Sequence, residues 1–304
     1  MSPSQIDNLN RAFGIPGAVA AMAGNGGLPM LRVTAPSASA DVYLHGMQIT
    51  SWRPAGAGEV LFLSEHSAWQ DGRAIRGGIP ICFPWFRGKA LDPAAPAHGF
   101  VRTKEWQLQS VTTHGDSVVL TGATEDDEST RRWWPWAFRL EYKLSIGAFL
   151  SLELKATNTG QAPFRFEEAL HSYFRVSDAA SVSVRGLDQV SFLDNMDGNR
   201  RRIQSGDLVF RAQTDNAYVD VAGSAELIDP AWRRAIVTEK VSSRTTVVWN
   251  PWQEGAATLK DLGNDEWRQF ACVEASNILG SAISLAPGEQ HAIQATLRVL
   301  ALDA

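Results

Sequence analysis

The stretch LEYKLSIGAFLSLELKA, Leu140 to Ala156, decides the fold. Leu140, Tyr142, Leu144 and Ile146 alternate with Glu141, Lys143 and Ser145. Leu150, Leu152, Leu154 and Ala156 alternate in the same way with Ser151, Glu153 and Lys155. Successive side chains of a strand point to opposite faces, so each run buries one face and wets the other. Gly147-Ala148-Phe149 between them supplies a short glycine-containing turn, and the whole reads as a β-hairpin. Working outward, residues 118–123 predict a strand just before the hairpin, and Phe164, Phe166, Leu170 and Phe174 form another alternating run. Residues 245–249 are mostly β-branched and predict a strand, residues 270–275 predict a further one, and Ile293, Ala295, Leu297 and Val299 alternate near the end. A 3.6-residue period sustained over ten residues is absent; Ile6, Leu9 and Phe13 mark one short amphipathic helical turn. Many short strands between turn signals indicate an all-β fold, a single large antiparallel β-sandwich. No composition break, long linker or fixed-period repeat divides the chain. Residues 1–304 therefore read as one domain with a short N-terminal extension over about residues 1–30.

A chain of 304 residues buries a full core without disulfides or metals. Its 28 Lys and Arg against 33 Asp and Glu leave a formal charge of −5, which argues against a nucleic-acid binder. With 44% hydrophobic and 20% charged residues, it is not a disordered chain. Two cysteines, Cys82 and Cys272, do not make a disulfide framework. The first ten residues carry no basic stretch, and the mildly apolar residues 14–24 are broken by Pro16 and Gly17. Neither a secretory signal nor a membrane span is expected, so the reading is a cytoplasmic protein. Eleven Trp is a surplus that suits a β-rich core, a sugar-stacking site, or both.

Phosphate loops, dinucleotide-binding glycine motifs, paired Cys-x-x-Cys, His-Glu-x-x-His and Gly-x-Ser-x-Gly elbows are all missing, so no metal or nucleotide cofactor is expected. Four clusters could carry chemistry. Between Asp71 and Glu105 six Lys or Arg face three acids, a local excess of positive charge that suits a small anion or a solvated, salt-bridged loop. Arg76-Gly77-Gly78 and His98-Gly99-Phe100-Val101-Arg102 lie in it, and paired glycines allow close backbone approach. His171, if residues 167–174 form one strand, shares a polar face with Tyr173 and Glu167 and could titrate near neutrality; taken alone it reads rather as a surface or a hydrogen-bonded histidine. Glu167-Glu168 point to opposite faces of a strand and do not form an acid–base pair. Glu274, in the apolar run Cys272-Val273-Glu274-Ala275, is either a buried acid paired to an arginine or a base with an elevated pKa. Trp249 and Trp252, like Trp133, Trp134 and Trp136, divide between core packing and stacking on a sugar face.

Taken in order, several segments resemble the aldose 1-epimerase superfamily, and within it the hexose-6-phosphate mutarotases. They are Arg76-Gly-Gly-Ile-Pro80, Cys82-Phe-Pro-Trp-Phe86, His98-Gly-Phe-Val-Arg102, Leu170-His-Ser-Tyr-Phe-Arg-Val-Ser-Asp178, Thr214-Asp215, Val248-Trp-Asn-Pro-Trp252 and Val273-Glu274. The resemblance runs from about residue 40 to the C-terminus. It implies a galactose mutarotase-like supersandwich with a concave carbohydrate site, His171 as general acid and Glu274 as general base. It also implies that Arg76, His98, Arg102 and Asp215 hold a sugar phosphate, the arginines taking the phosphate. Ala97 departs from the pattern, since many members carry Gln there, and this removes one expected hydrogen bond to the sugar. The implied partner is a small sugar phosphate, with no nucleic acid and no membrane, bound by a monomer.

That chemistry suits these residue types. Exchanging α and β anomers needs a base for the C1 hydroxyl proton and an acid for the ring oxygen, then rotation about C1–C2 and reclosure. Each proton transfer supplies roughly 10²–10⁴-fold, with no cofactor. A non-catalytic sugar-sensing protein on the same sandwich would keep the arginines and aromatics without needing both His171 and Glu274. A glycosidase or polysaccharide lyase would show a long cleft and, for the former, two carboxylates flanking the bond.

Overall fold

The computed structural model describes residues 3–302. A nine-stranded antiparallel sheet runs from Leu208–Val209 through Ser183–Arg185, Ala225–Asp229, Arg234–Val241, Gln290–Ala301, Leu150–Asn158, Phe138–Ile146 and Ser117–Glu125 to Gln107–His114. An eight-stranded sheet runs from Arg200–Ile203 through Ser191–Asp194, Thr214–Val219, Thr245–Asn250, Phe270–Asn277 and Glu168–Leu170 to Ile81–Cys82, with Tyr173–Arg175 also paired to Phe270–Asn277. A four-stranded meander joins Val19–Ala23, Pro29–Ala35, Ala38–Tyr43 and Gln48–Pro54. One continuous apolar core draws on all three sheets.

The hairpin forms as its alternation dictates. Leu144 pairs with Leu152 and Ile146 with Leu150, and the Gly147 N–H donates to the Phe149 carbonyl at 3.1 Å across the turn. Its eight alternating apolar residues are buried, each large one stabilising the fold by about 1.5–3 kcal/mol. The expected strands near 118–123, 245–249, 270–275 and 293–299 are present as Ser117–Glu125, Thr245–Asn250, Phe270–Asn277 and Gln290–Ala301.

Two expectations are corrected. The N-terminal turn is a full helix, Pro3–Phe13, whose Ile6, Leu9 and Phe13 pack on the core. The Asn10 side chain fastens it to the meander, donating to the Ala21 carbonyl at 2.8 Å and accepting from the Ala21 N–H at 2.7 Å. The run 164–174 is three short strands, not one. Phe164–Phe166 pairs with Ile283–Leu285, whereas Glu168–Leu170 and Tyr173–Arg175 both pair with Phe270–Asn277. Between the latter two, the His171 N–H turns to the Pro80 carbonyl at 3.0 Å. Register holds across that interruption: Leu170 faces Ala275 and Tyr173 faces Cys272. Position 171 therefore falls opposite position 274.

Candidate active site

One face of the eight-stranded sheet gathers candidate site residues. Val247 lies opposite Glu274, and Trp249 lies between Asp215 and Cys272. With a period of two, Asp215, Val247, Trp249 and Glu274 share that face, while Val248, Val273 and Ala275 point into the core. Directly opposed residues of paired strands bring their side chains together. This is why His171 and Glu274 meet, with Nδ1 3.4 Å from Oε1.

The opposite wall comes from the basic segment, folded over the sheet by its glycines. Gly77 has φ +118°, and a Cβ there would sit 2.3 Å from the Phe62 carbonyl oxygen. Gly99 has φ +74°, and a Cβ would fall 1.8 Å from the Phe83 oxygen. Both positions need glycine for backbone approach. The result brings His171, Glu274, Arg76, His98, Arg102 and Asp215 around one cavity of about 240 Å³. It is small and suits a single sugar ring. Wider clefts of about 530 and 550 Å³ elsewhere hold none of these groups.

Charge inside the cavity is unevenly committed. Arg76 donates to both Asp261 oxygens at 3.0 and 3.1 Å and to the Tyr173 hydroxyl at 2.9 Å. Arg87 donates to Asp215 at 2.5 Å, whose other oxygen accepts from Asn195 at 2.7 Å. Arg102 donates only to the Ala97 carbonyl, at 2.9 Å, and has no carboxylate within 4.0 Å among the described residues. It is the uncompensated cation of the site.

Glu274 is fully buried, and neither of its oxygens has a hydrogen-bond partner; His171 is 5% exposed, and its Nδ1 is likewise unpartnered. Burial, reinforced by Asp215, pushes the Glu274 carboxyl well above the usual range despite Arg87 and Arg102. Burial, reinforced by Arg102 and Arg76, holds the His171 imidazole well below its ordinary value. The expected polar face around His171 is thus corrected. The ring stacks on Tyr173 at 4.7 Å and meets Trp249 edge-on at 5.8 Å. A carboxylate made reluctant to ionise is a strong base, and an imidazolium made reluctant to form is a strong acid. Both groups are thus held toward their neutral forms, and each exchanges a proton readily once it is charged. His171, Cys272 and Glu274 also bring ligand atoms within 4.8 Å of one another. The uncompensated charge of Arg102 in the same cavity opposes a metal cation there.

The other candidates separate cleanly. Glu167 accepts from the Phe86 and Leu279 N–H groups, and Glu168 is buried against His291 at 2.9 Å and Asn277 at 2.8 Å; both serve the loop and sheet. Trp249 lines the cavity, whereas Trp252 packs on Trp267 at 4.2 Å and Trp134 packs on Phe164 at 4.8 Å. Asp261 was not legible as a neighbour of the site; the excess charge of its segment pointed to Arg87, and the shared face with His171 pointed to Tyr173.

The aldose 1-epimerase family model matches residues 29–298. This chain belongs to the aldose 1-epimerase family. The epimerase is 35% identical over 248 residues to an Escherichia coli K12 protein named "Putative glucose-6-phosphate 1-epimerase", covering 81% of this chain and 82% of that one. A Cenchrus ciliaris protein of the same name is 33% identical over 83% of this chain and 78% of its own. Among solved structures, that of a "putative mutarotase" from Salmonella typhimurium superposes with a TM-score of 0.88 at 30% identity, covering 94% of this chain and 95% of that one. The epimerase is thus an isomerase on a galactose mutarotase-like antiparallel fold. No helix among its described residues is long and apolar enough to cross a membrane.

Proposed function

We propose that this epimerase interconverts the α and β anomers of a hexose 6-phosphate, glucose 6-phosphate foremost. Glu274 takes the proton of the C1 hydroxyl, and His171 delivers one to the ring oxygen as the C1–O5 bond breaks. The open-chain aldehyde rotates about C1–C2 and recloses with the roles reversed. Each transfer contributes roughly 10²–10⁴-fold. Asp215 and His98 hold ring hydroxyls, and Arg102 and Arg76 take the phosphate. The observation that carries this reading is one small cavity holding an unpartnered histidine–carboxylate pair together with a guanidinium that has no acid of its own. The relatives' names point to the same substrate. The unit we propose to act is the monomer, in the cytoplasm.

The test is to dissolve one pure anomer of glucose 6-phosphate with the protein and follow equilibration by NMR. Equilibration faster than the buffer and phosphate background is expected. A rate equal to that background would remove the assignment.

A further inference from the structure

We propose that His98 is locked as the neutral imidazole protonated at Nε2, held so by the Arg87 peptide N–H, and that it serves as a hydrogen-bond donor to a sugar oxygen, never as a proton acceptor. What the donor does rests on the sugar-phosphate reading; the tautomer rests on the resting protein alone.

The Arg87 backbone nitrogen lies 3.3 Å from His98 Nδ1 with its hydrogen aimed at that atom. A peptide N–H can only donate, so Nδ1 must present its lone pair. That N–H has no other acceptor among the described residues. Moving the proton to Nδ1 would set two donors face to face and orphan a part-buried N–H, disfavouring that tautomer by about 10- to 100-fold. The Cys82 sulfur stands 3.5 Å from the same nitrogen. Burial pushes this thiol up, so it remains an uncharged S–H and places no thiolate there to draw a proton onto Nδ1.

The frame around the ring is rigid. The His98 N–H donates to the Arg87 carbonyl at 2.7 Å, and the Phe83 N–H donates to the His98 carbonyl at 3.3 Å. Residue 98 itself has φ +63°, and its ring meets Phe86 edge-on at 4.7 Å. Burial, together with Arg102, His171, Arg76 and Arg87, opposes a charged imidazolium. No carboxylate lies within 4.0 Å of the ring among the described residues to favour one. Nε2–H is then the single polar group the ring offers to the cavity. His98 and His171 stand 5.5 Å apart, close enough to act on one sugar ring. A neutral donor there steadies a sugar oxygen during ring opening without competing with Glu274 for the C1 hydroxyl proton.

The test is long-range proton–nitrogen NMR on the full protein labelled with ¹⁵N-histidine, with His98 assigned by the signals lost in His98→Gln. The expected result is an unprotonated Nδ1 and a protonated Nε2, both unmoved from about pH 5.5 to 8.5, the window in which an ordinary histidine titrates. A protonated Nδ1, or a ring titrating in that window, would overturn the tautomer. The donor role is read from two variants. A glutamine amide reaches the position of Nε2, and an asparagine amide only that of Nδ1. His98→Gln should therefore exceed His98→Asn in kcat/KM by about 3- to 10-fold, although the positive φ favours asparagine. Equal values, or the reverse order, would overturn it. Because the tautomer is read without substrate, the expected NMR result beside a protein inert toward glucose 6-phosphate would remove the substrate reading alone.

Discussion

Arg102→Met should weaken glucose 6-phosphate binding while sparing the fold. Arg102 keeps no acid neutralised and gives one hydrogen bond, to the Ala97 carbonyl. Removing it therefore orphans no buried carboxylate. Arg76→Met, in contrast, would strand both Asp261 oxygens and the Tyr173 hydroxyl. A hydrogen bond to a charged group contributes about 1.5–3 kcal/mol. Loss of the Arg102 contact to the substrate phosphate should thus raise KM about 10- to 150-fold. Because the phosphate is remote from C1, it binds ground and transition states alike, and kcat should change far less. The assay is anomer equilibration for glucose 6-phosphate and for free glucose with wild type and variant. Free glucose has no phosphate, so its slow turnover should hardly respond, and the preference for the phosphate ester should shrink. Equal weakening for both sugars would instead give Arg102 to the sugar ring or the loop.

Glu274→Gln and His171→Asn should each lower kcat by about 10²-fold or more, and the double variant should be far less than multiplicatively worse, because the two groups act in one step; steady-state kinetics reads all three. Glu274→Gln should also stabilise the protein at neutral pH. The folded carboxyl is raised above its unfolded value, so the native state binds more protons and loses stability as pH climbs above 4.5. The gain in Tm should be present at about pH 7 and vanish below about pH 4.5, where the unfolded carboxyl is protonated too. Gly99→Ala should cost about 2–6 kcal/mol in chemical denaturation, from backbone strain and from the clash with the Phe83 oxygen.

Much of the sandwich was legible in the sequence because alternation is a local property. Leu140 to Ala156 needs no distant partner to declare which face is buried. The family's ordered motifs named the six residues that the fold brings to one cavity. Residue pairing was harder to see. That His171 opposes Glu274 depends on a strand register over a hundred residues long in sequence, and on the interruption at position 171 that alternation could not show. The commitments of the arginines were equally hidden. Asp261 lies 185 positions from Arg76, and Asp215 lies 128 from Arg87, so no spacing rule connects them. For the same reason the apolar surroundings of His171, made by Tyr173 and Trp249, were missed by reading its strand alone.

Whether Glu274 and His171 move the protons is read by exchange spectroscopy on glucose 6-phosphate labelled with ¹³C at C1. At anomeric equilibrium the wild-type protein should give exchange cross-peaks between the α and β signals that grow with enzyme concentration. Folded Glu274→Gln, at the same concentration and with its binding of the sugar phosphate intact, should give only the cross-peaks of the buffer. Wild-type exchange rates in that variant would show that Glu274 is not the base.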